Sequence, residues 1–172
     1  MKLILMMAMT VDGIIAKNKE QNADWTSKSD KRVFIEETKK HGAIIMGETT
    51  FEAMDKKSLP KRLNLILTLK PELYKNLEKE GELEFLKAKP KEVMDYLEKK
   101  GFESAILGGG ARTNSFFLKA GLVDEILITV EPKIFGVGIN FTEGQDLDLN
   151  LELIECRKIG DDAVQLRYKI IK

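Results

Sequence analysis

Apolar positions along the chain come in two rhythms. Lys2–Met9, Ala43–Gly47, Leu63–Leu69, Leu83–Leu86 and Ser104–Leu107 are short, nearly continuous apolar runs. Runs of four to eight such residues suit strands covered on both faces. Between them the spacing turns helical. Asp30 to Lys40 sets Val33, Phe34 and Thr38 on one side and stops at Gly42, Pro90 opens a stretch with Val93, Met94 and Leu97 on one face that closes at Gly101, and Phe116 to Ala120 ends at Gly121. Proline at a first helical position and glycine just past an end mark helix boundaries. Strands alternating with helices need crossover connections, so the pattern predicts an α/β fold with a largely parallel sheet and helices on both faces. In the last third, Val123–Glu131, Leu149–Ile159 and Ala163–Ile171 read as long strands with no helix between them, and Gly160-Asp161-Asp162 as a turn joining the final two. An antiparallel hairpin at the sheet edge is expected there.

Composition narrows the class. The 172 residues contain no repeat, low-complexity tract or linker, which predicts one domain over residues 1–172. A chain of this length buries a core without a disulfide or a structural metal. Its 28 basic and 28 acidic side chains balance, which argues against nucleic acid or an anionic membrane as partner, since both are gripped by a basic surplus. A single Cys and a single His supply neither an internal disulfide nor the ligands of a structural zinc site. The longest apolar run, Leu3 to Met9, falls far short of the roughly 18 to 20 residues that cross a bilayer. With Lys2 and Asp12 flanking it, the run does not frame a signal peptide either. A cytoplasmic protein acting on a small molecule is the expectation.

In an open sheet of this kind ligands sit at the carboxyl ends of the strands. Ser104–Leu107 is followed by Gly108, Gly109 and Gly110, and then by a helix start at Ala111-Arg112-Thr113. The glycines read either as a tight strand-to-helix turn or as a backbone cradle that presents helix N–H groups to a phosphate. Ala43–Met46 runs in the same way into Gly47, Glu48, Thr49 and Thr50. Two helix starts on one cleft suit a dinucleotide. A second cluster is Trp25-Thr26-Ser27 with Asp30, Arg32 and Phe34. Ser27 and Asp30 have the spacing of a capping box. Alternatively Asp30, between Trp25 and Phe34, is a carboxylic acid in an apolar cleft, its pKa raised by burial so that it donates a proton or anchors a ring nitrogen. His41 reads as a solvated charge at a helix end, Cys156 as an edge or packing residue, the Met6-Met7-Met9 group as strand core, and Lys75 to Glu84 as a solvated face.

Taken in order, Ala8-Met9-Thr10-Val11-Asp12-Gly13-Ile14-Ile15-Ala16, Trp25-Thr26-Ser27 with Asp30 and Arg32, Ile45-Met46-Gly47 with Thr49-Thr50, Leu107-Gly108-Gly109-Gly110, and Gly121-Leu122-Val123-Asp124-Glu125 with Pro132, Gly136 and Gly138 resemble the dihydrofolate reductase superfamily. Within it they are most similar to the reductase domain of riboflavin biosynthesis. The resemblance runs from Leu3 to Ile170. It implies a dihydrofolate reductase-like three-layer fold, a mostly parallel sheet of about eight strands, and hydride transfer from NADPH to a pyrimidine- or pteridine-linked substrate. It also implies roles. Ala8 and Ile15 match backbone contacts to the nicotinamide carboxamide, and Lys17 to Asp24 a loop that closes over it. Gly47, Thr49, Thr50, Gly108, Gly109 and Gly110 match the phosphate-binding helix starts. Asp30 matches the carboxylate that holds the pterin, and Thr129 the threonine bonded to it. Arg62 matches the arginine that receives an anionic substrate tail, with Lys28 and Arg32 as further anion ligands, while Trp25, Ser27 and Phe34 line the substrate side.

The chain departs from the family at Glu48, where many relatives place an arginine against the 2′-phosphate of NADPH. NADH is therefore possible, and NADPH requires Thr68 and Lys70 to form the pocket while Glu48 turns to solvent. No deaminase segment of the kind found ahead of many bacterial relatives is recognisable, so a stand-alone reductase or a relative with a shifted substrate is expected. It would reduce the ribosyl side chain of an aminopyrimidine or aminouracil ribosyl 5′-phosphate to ribityl. Dihydrofolate reduction and a non-catalytic nucleotide-binding relative are the alternatives. The long C-terminal strands must present an edge, which predicts a homodimer.

Overall fold

A computed structural model describes residues Met1–Lys172. The chain forms β1 (Lys2–Thr10), β2 (Ile14–Ala16), α1 (Lys28–His41), β3 (Ala43–Gly47), α2 (Glu48–Ala53), β4 (Leu63–Leu67), β5 (Leu83–Leu86), α3 (Pro90–Lys99), β6 (Ser104–Leu107), α4 (Ala111–Lys119), β7 (Glu125–Glu131), β8 (Ile139–Asn140), β9 (Leu151–Ile159) and β10 (Ala163–Ile170). Short 3-10 turns cover Ala23–Trp25 and Pro71–Leu77. Eight strands make one sheet in the order β5-β4-β3-β6-β1-β7-β10-β9. The strands from β5 to β7 in that order run parallel, and β10 is antiparallel to both β7 and β9. This is the mostly parallel sheet with a C-terminal antiparallel hairpin that the sequence predicts.

The continuous apolar runs have a direct explanation. Successive side chains leave a strand on opposite faces, and here both faces are covered. Leu3, Leu5, Ile45 and Leu65 pack with Val93 and Leu97 of α3 and Phe117 of α4, whereas Ile4, Met6, Ile44 and Ile66 pack with Phe51 of α2 and with Val33 and Phe34 of α1. These are the three layers. No helix is long and apolar enough to cross a membrane.

Some local readings change. Helix α4 starts at Ala111, where the glycine run places it, although its apolar period shows only from Phe116, because Asn114 and Ser115 are polar and fully buried. The small sheet of β2 and β8 was not expected, since neither strand is long enough to show a period. It brings Gly138 so close that a side chain there would meet Ile14 at 2.5 Å. His41 is not a solvated charge. Its Nδ1 lies 2.6 Å from Ser104 Oγ, and burial lowers its pKa. The segment from Lys75 is solvated as far as Gly81, but Leu83 is buried.

One feature of the sheet positions a site. Strand β1 pairs with β7 as far as Thr10 opposite Glu131, but with β6 only as far as Leu5 opposite Leu107. From Met6 to Thr10 one edge of β1 therefore faces no strand. A crevice opens between β1 and β6 at the carboxyl end of the sheet, with free backbone groups of the Ala8 region along one wall.

Candidate functional site

Register carries one row of residues to the crevice: Ala8 lies opposite Thr129, Thr129 opposite Gln165, and Gln165 opposite Arg157. Thr129 and Glu131, two residues apart, share a face of β7. The first turn of α1 comes down beside them. Ser27 caps this helix, its Oγ accepting the Asp30 N–H at 3.1 Å. The reciprocal bond of a capping box is not made by Asp30. The Ser27 N–H donates instead to Glu131 Oε1 at 2.9 Å, so β7 completes the cap and the Asp30 carboxyl is left for other partners.

The hydroxyls of Thr129 and Thr26 stand near it, and the Thr26 hydroxyl donates to the Ala23 carbonyl at 3.1 Å. Asp30 is only 7% exposed. Burial raises its pKa above the usual carboxylate range, against the opposing pull of the two hydroxyls, and the nearby Glu131 carboxylate adds to the rise. Thr129 is oriented from behind. Arg157 donates to Gln165 Oε1 from Nε at 3.0 Å and from Nη2 at 2.5 Å, and Gln165 Nε2 lies 3.4 Å from Thr129 Oγ1. An arginine only donates, so it fixes which end of the Gln165 amide faces Thr129. That amide N–H occupies a lone pair of Thr129 and leaves the Thr129 proton for Asp30. Glu131, Gln165 and Arg157 were missed in the sequence. Their signal was the polar residues inside otherwise apolar strand runs, which acquires meaning only once the register is known.

The other wall is made by the glycine turns. The Gly47 N–H donates to the Gly109 carbonyl at 2.8 Å. A side chain on Gly47 would strike Thr113 Oγ1 at 2.6 Å, and one on Gly110 would press on Thr50 Oγ1 at 3.1 Å. Each turn thus sits against a threonine of the other helix. Gly47 and Gly110 are the N-caps of α2 and α4, and neither brings a side-chain acceptor. First-turn N–H groups without such an acceptor are suited to an anion. Asn114 Oδ1 is buried, accepts no hydrogen bond within the chain, and lies 3.7 Å from where a side chain on Gly109 would begin. These features fit a dinucleotide whose phosphates lie on the turns. Gly108 differs from its neighbours, because a side chain there would meet Ile44 at 2.7 Å; it serves sheet packing.

At the outer end of this wall Glu48 does not turn to solvent. Thr68 donates its hydroxyl to Glu48 Oε2 at 2.9 Å, and Tyr74 donates to Glu48 Oε1 at 2.6 Å, with Glu52 Oε1 3.1 Å from the same phenol. Thr68 Oγ1 also accepts the Lys70 N–H at 3.1 Å, while the Lys70 side chain is exposed. Thr49 is exposed and Thr50 half-buried.

Beside the start of α1, Trp25 packs edge-on against Phe135 with centroids 5.0 Å apart, and its carbonyl accepts from Lys133 Nζ at 2.8 Å. Its buried Nε1 has no partner within the chain. Phe34 packs toward the α1 face of the sheet, and Ile15 is half-buried on β2. Arg32 is exposed, one helical turn after Lys28. Arg62 stands apart. It is buried, and its guanidinium donates to the Pro60 carbonyl and to the Thr38 hydroxyl. Thr38 lies roughly 12 Å along α1 from Asp30, at 1.5 Å per residue. Arg62 therefore ties the loop before β4 to the far part of α1, with much of its donor fork engaged. The Lys17–Asp24 loop is held by Gln21 Oε1, which accepts the Lys17 N–H at 2.6 Å, and Lys17 Nζ lies 4.9 Å from the Phe135 ring centroid.

A cleft of about 410 Å³ beside the start of α1 is lined by Trp25–Ser29, Glu131–Lys133 and the turn between β9 and β10. A larger concavity of about 800 Å³ lies at the opposite, amino end of the sheet among Lys2, Asp124, Glu125 and Lys172. Those four side chains pair with one another, and none of the site residues reaches that end.

The profile of the RibD C-terminal domain matches residues 1–64 and 61–165 of the chain. Dihydrofolate reductase of Lactococcus lactis subsp. lactis is 35% identical over 85 residues, 49% of this chain and 48% of that protein, so the match spans about half of each. A pyrimidine reductase-like protein from Corynebacterium diphtheriae superimposes with a TM-score of 0.82 at 14% identity, covering 99% of this chain and 92% of that one. A diaminohydroxyphosphoribosylaminopyrimidine deaminase/5-amino-6-(5-phosphoribosylamino)uracil reductase from Thermotoga maritima superimposes with a TM-score of 0.79 at 17% identity, covering 99% of this chain and 56% of that one. At these identities the two structures share the fold.

Proposed function

The chain belongs to the RibD C-terminal domain family, within the dihydrofolate reductase-like proteins, and from that membership we propose that residues 1–172 act as one reductase domain. It reduces the ribosyl side chain of an aminopyrimidine or aminouracil ribosyl 5′-phosphate to ribityl. A reduced nicotinamide dinucleotide supplies the hydride when bound, and no protein group changes oxidation state. The family resemblance favours NADPH and the acidic Glu48 favours NADH, so cofactor choice turns on how Glu48 is held.

The protein's part is to bind, orient and manage one proton. The helix starts at Gly47 and Gly110 hold phosphates, and the unpaired backbone of β1 at Ala8, with Ile15 across from it, holds the carboxamide. Burial raises the Asp30 pKa and so favours the protonated acid, and the Thr129 hydroxyl stands beside the carboxyl. As hydride reaches the ribose carbon attached to the amine, the bond from that carbon to the ring oxygen breaks, and the proton goes to that oxygen to give the open ribityl chain. Lys28 and Arg32 hold the 5′-phosphate, Trp25 and Phe34 the ring, and Arg62 keeps α1 in register with β4. The observation that carries this reading is Asp30, relieved of its capping duty by Glu131 and buried near the Thr129 hydroxyl beside the crevice.

The alternative, dihydrofolate reduction with Asp30 anchoring the pterin, is favoured by the 35% identical stretch shared with the Lactococcus enzyme. Loss of reduced-nicotinamide absorbance on mixing the protein with each substrate decides between them. Turnover with the ribosyl phosphate supports the first reading and turnover with dihydrofolate alone the second. Dinucleotide binding with neither turnover leaves a non-catalytic nucleotide-binding protein.

A further inference from the structure

We propose that this chain selects a nicotinamide dinucleotide whose adenosine ribose carries a free 2′-hydroxyl, NADH rather than NADPH, and that Glu48, clamped by Thr68 and Tyr74, is the residue that selects. The inference rests on the reductase reading of the crevice. It concerns which of two dinucleotides the crevice accepts.

The order of strands sets the direction of the ligand. The acid that handles the substrate proton stands by β1 and β7. The glycine turns that suit the phosphates follow β6 and β3, the next strands across the crevice. A dinucleotide with its nicotinamide at Ala8 and its diphosphate on Gly47, Gly109 and Gly110 must extend its remaining half outward, toward the carboxyl end of β4. Three strand spacings separate β1 from β4, roughly 14 Å. What stands at that end is Thr68, and against it Glu48.

The clamp determines what Glu48 can do. Each of its oxygens already accepts one hydroxyl, from Thr68 at 2.9 Å and from Tyr74 at 2.6 Å. Tyr74 is 5% exposed, and burial together with Glu48 and Glu52 raises its pKa, so the phenol keeps its proton and remains a donor. A carboxylate tied at both oxygens to a buried strand end and a buried ring does not swing out to make room. Each oxygen retains a lone pair, which suits a ribose hydroxyl as donor. A phosphate in the same place has no proton to give and meets a like charge. No lysine or arginine forms an ion pair with Glu48. The cations of this corner are Lys70, exposed two residues beyond Thr68, and Lys56, whose Nζ lies 5.5 Å from the Tyr74 ring centroid. The clamp also occupies the Thr68 hydroxyl, so Thr68 has no proton left for a phosphate oxygen.

The test is equilibrium binding, read by quenching of the single tryptophan or by calorimetry, with NADH and NADPH and with their oxidised forms. A like-charge contact in a desolvated site disfavours the phosphate, so NADH should bind at least about tenfold more tightly than NADPH. Glu48→Gln, which keeps the shape and removes the charge, should narrow that ratio, and Glu48→Arg should invert it. Because the readout is a ratio in one protein preparation, a loss of overall stability does not imitate it. Equal or tighter binding of NADPH by the unaltered protein overturns the inference and leaves the reductase reading standing. A ratio that favours NADH but does not move in either variant overturns the role of Glu48. Binding of neither dinucleotide overturns the reductase reading and the inference with it.

Discussion

Asp30 shows why one residue can read two ways in a sequence. Its spacing from Ser27 is that of a capping box, and its neighbours Trp25 and Phe34 are those of an apolar cleft. Both readings use only local information. The residue that decides between them is Glu131, 104 positions from Ser27, and no local pattern could have supplied it. Two consequences follow for Asp30→Asn. Turnover should fall by roughly 10²–10⁴, the usual range for a lost general acid, in a steady-state assay. Stability should move the other way. A carboxyl whose folded-state pKa lies above its unfolded value holds back no stability below the unfolded pKa, and removes stability as pH rises through the folded pKa. Burial sets Asp30 in this class. Asp30→Asn should therefore melt at a higher temperature than the parent at neutral pH, with the gain vanishing as the medium is acidified past the ordinary carboxylate range. A gain that is the same at every pH would show that ionisation of Asp30 is not its source.

At the scale of elements, strands were easier to read than what crosses them. Continuous apolar runs marked inner strands such as β1, β3, β4 and β6, whose two faces are buried, and the proline and glycines at the ends of α1 and α3 marked their bounds. The start of helix α4 is marked by the glycines and not by its period, which buried polar side chains interrupt, and the two residues of β8 are too few to show one. The row through β7, β10 and β9 belongs to register, which a linear pattern does not contain. Its contribution is measurable. Gln165→Leu removes the donor that orients Thr129, so the Thr129 hydroxyl is no longer held toward Asp30 and the Asp30 pKa should rise further. The alkaline limb of the pH–rate profile should then move to higher pH. Arg157→Ala should move it the same way by less, because the Gln165 amide remains in place and loses only its orientation. A fall in turnover with an unmoved limb would mark both residues as structural only.

For the molecule as a whole, the layers followed from the alternation of strands and helices, whereas the strand order depended on which distant segments pair. The edge left by that order is β9, whose residues from Leu151 to Lys158 are all exposed. Leu151, Leu153 and Ile154 are 41%, 53% and 50% exposed, and a long apolar edge of this kind invites a second copy. A homodimer is expected by light scattering at assay concentration. Leu153→Lys together with Ile154→Lys should shift it to monomer; a monomer in the unaltered protein would end the idea. At the middle of the sheet, where β1 outruns β6, only the four pairs from Lys2–Ser104 to Leu5–Leu107 join β1-β7-β10-β9 to β6-β3-β4-β5. The sheet is in effect two plates stitched along a short seam, open at one end. A dinucleotide lying across that mouth works as a clasp as well as a reactant, because it ties the free end of β1 to the glycine turn after β6. Amide exchange at the unstitched end, from Met7 to Met9 and at Gly109 and Gly110, should slow on nucleotide binding far more than exchange at Leu3 or Ile4, which the seam already closes.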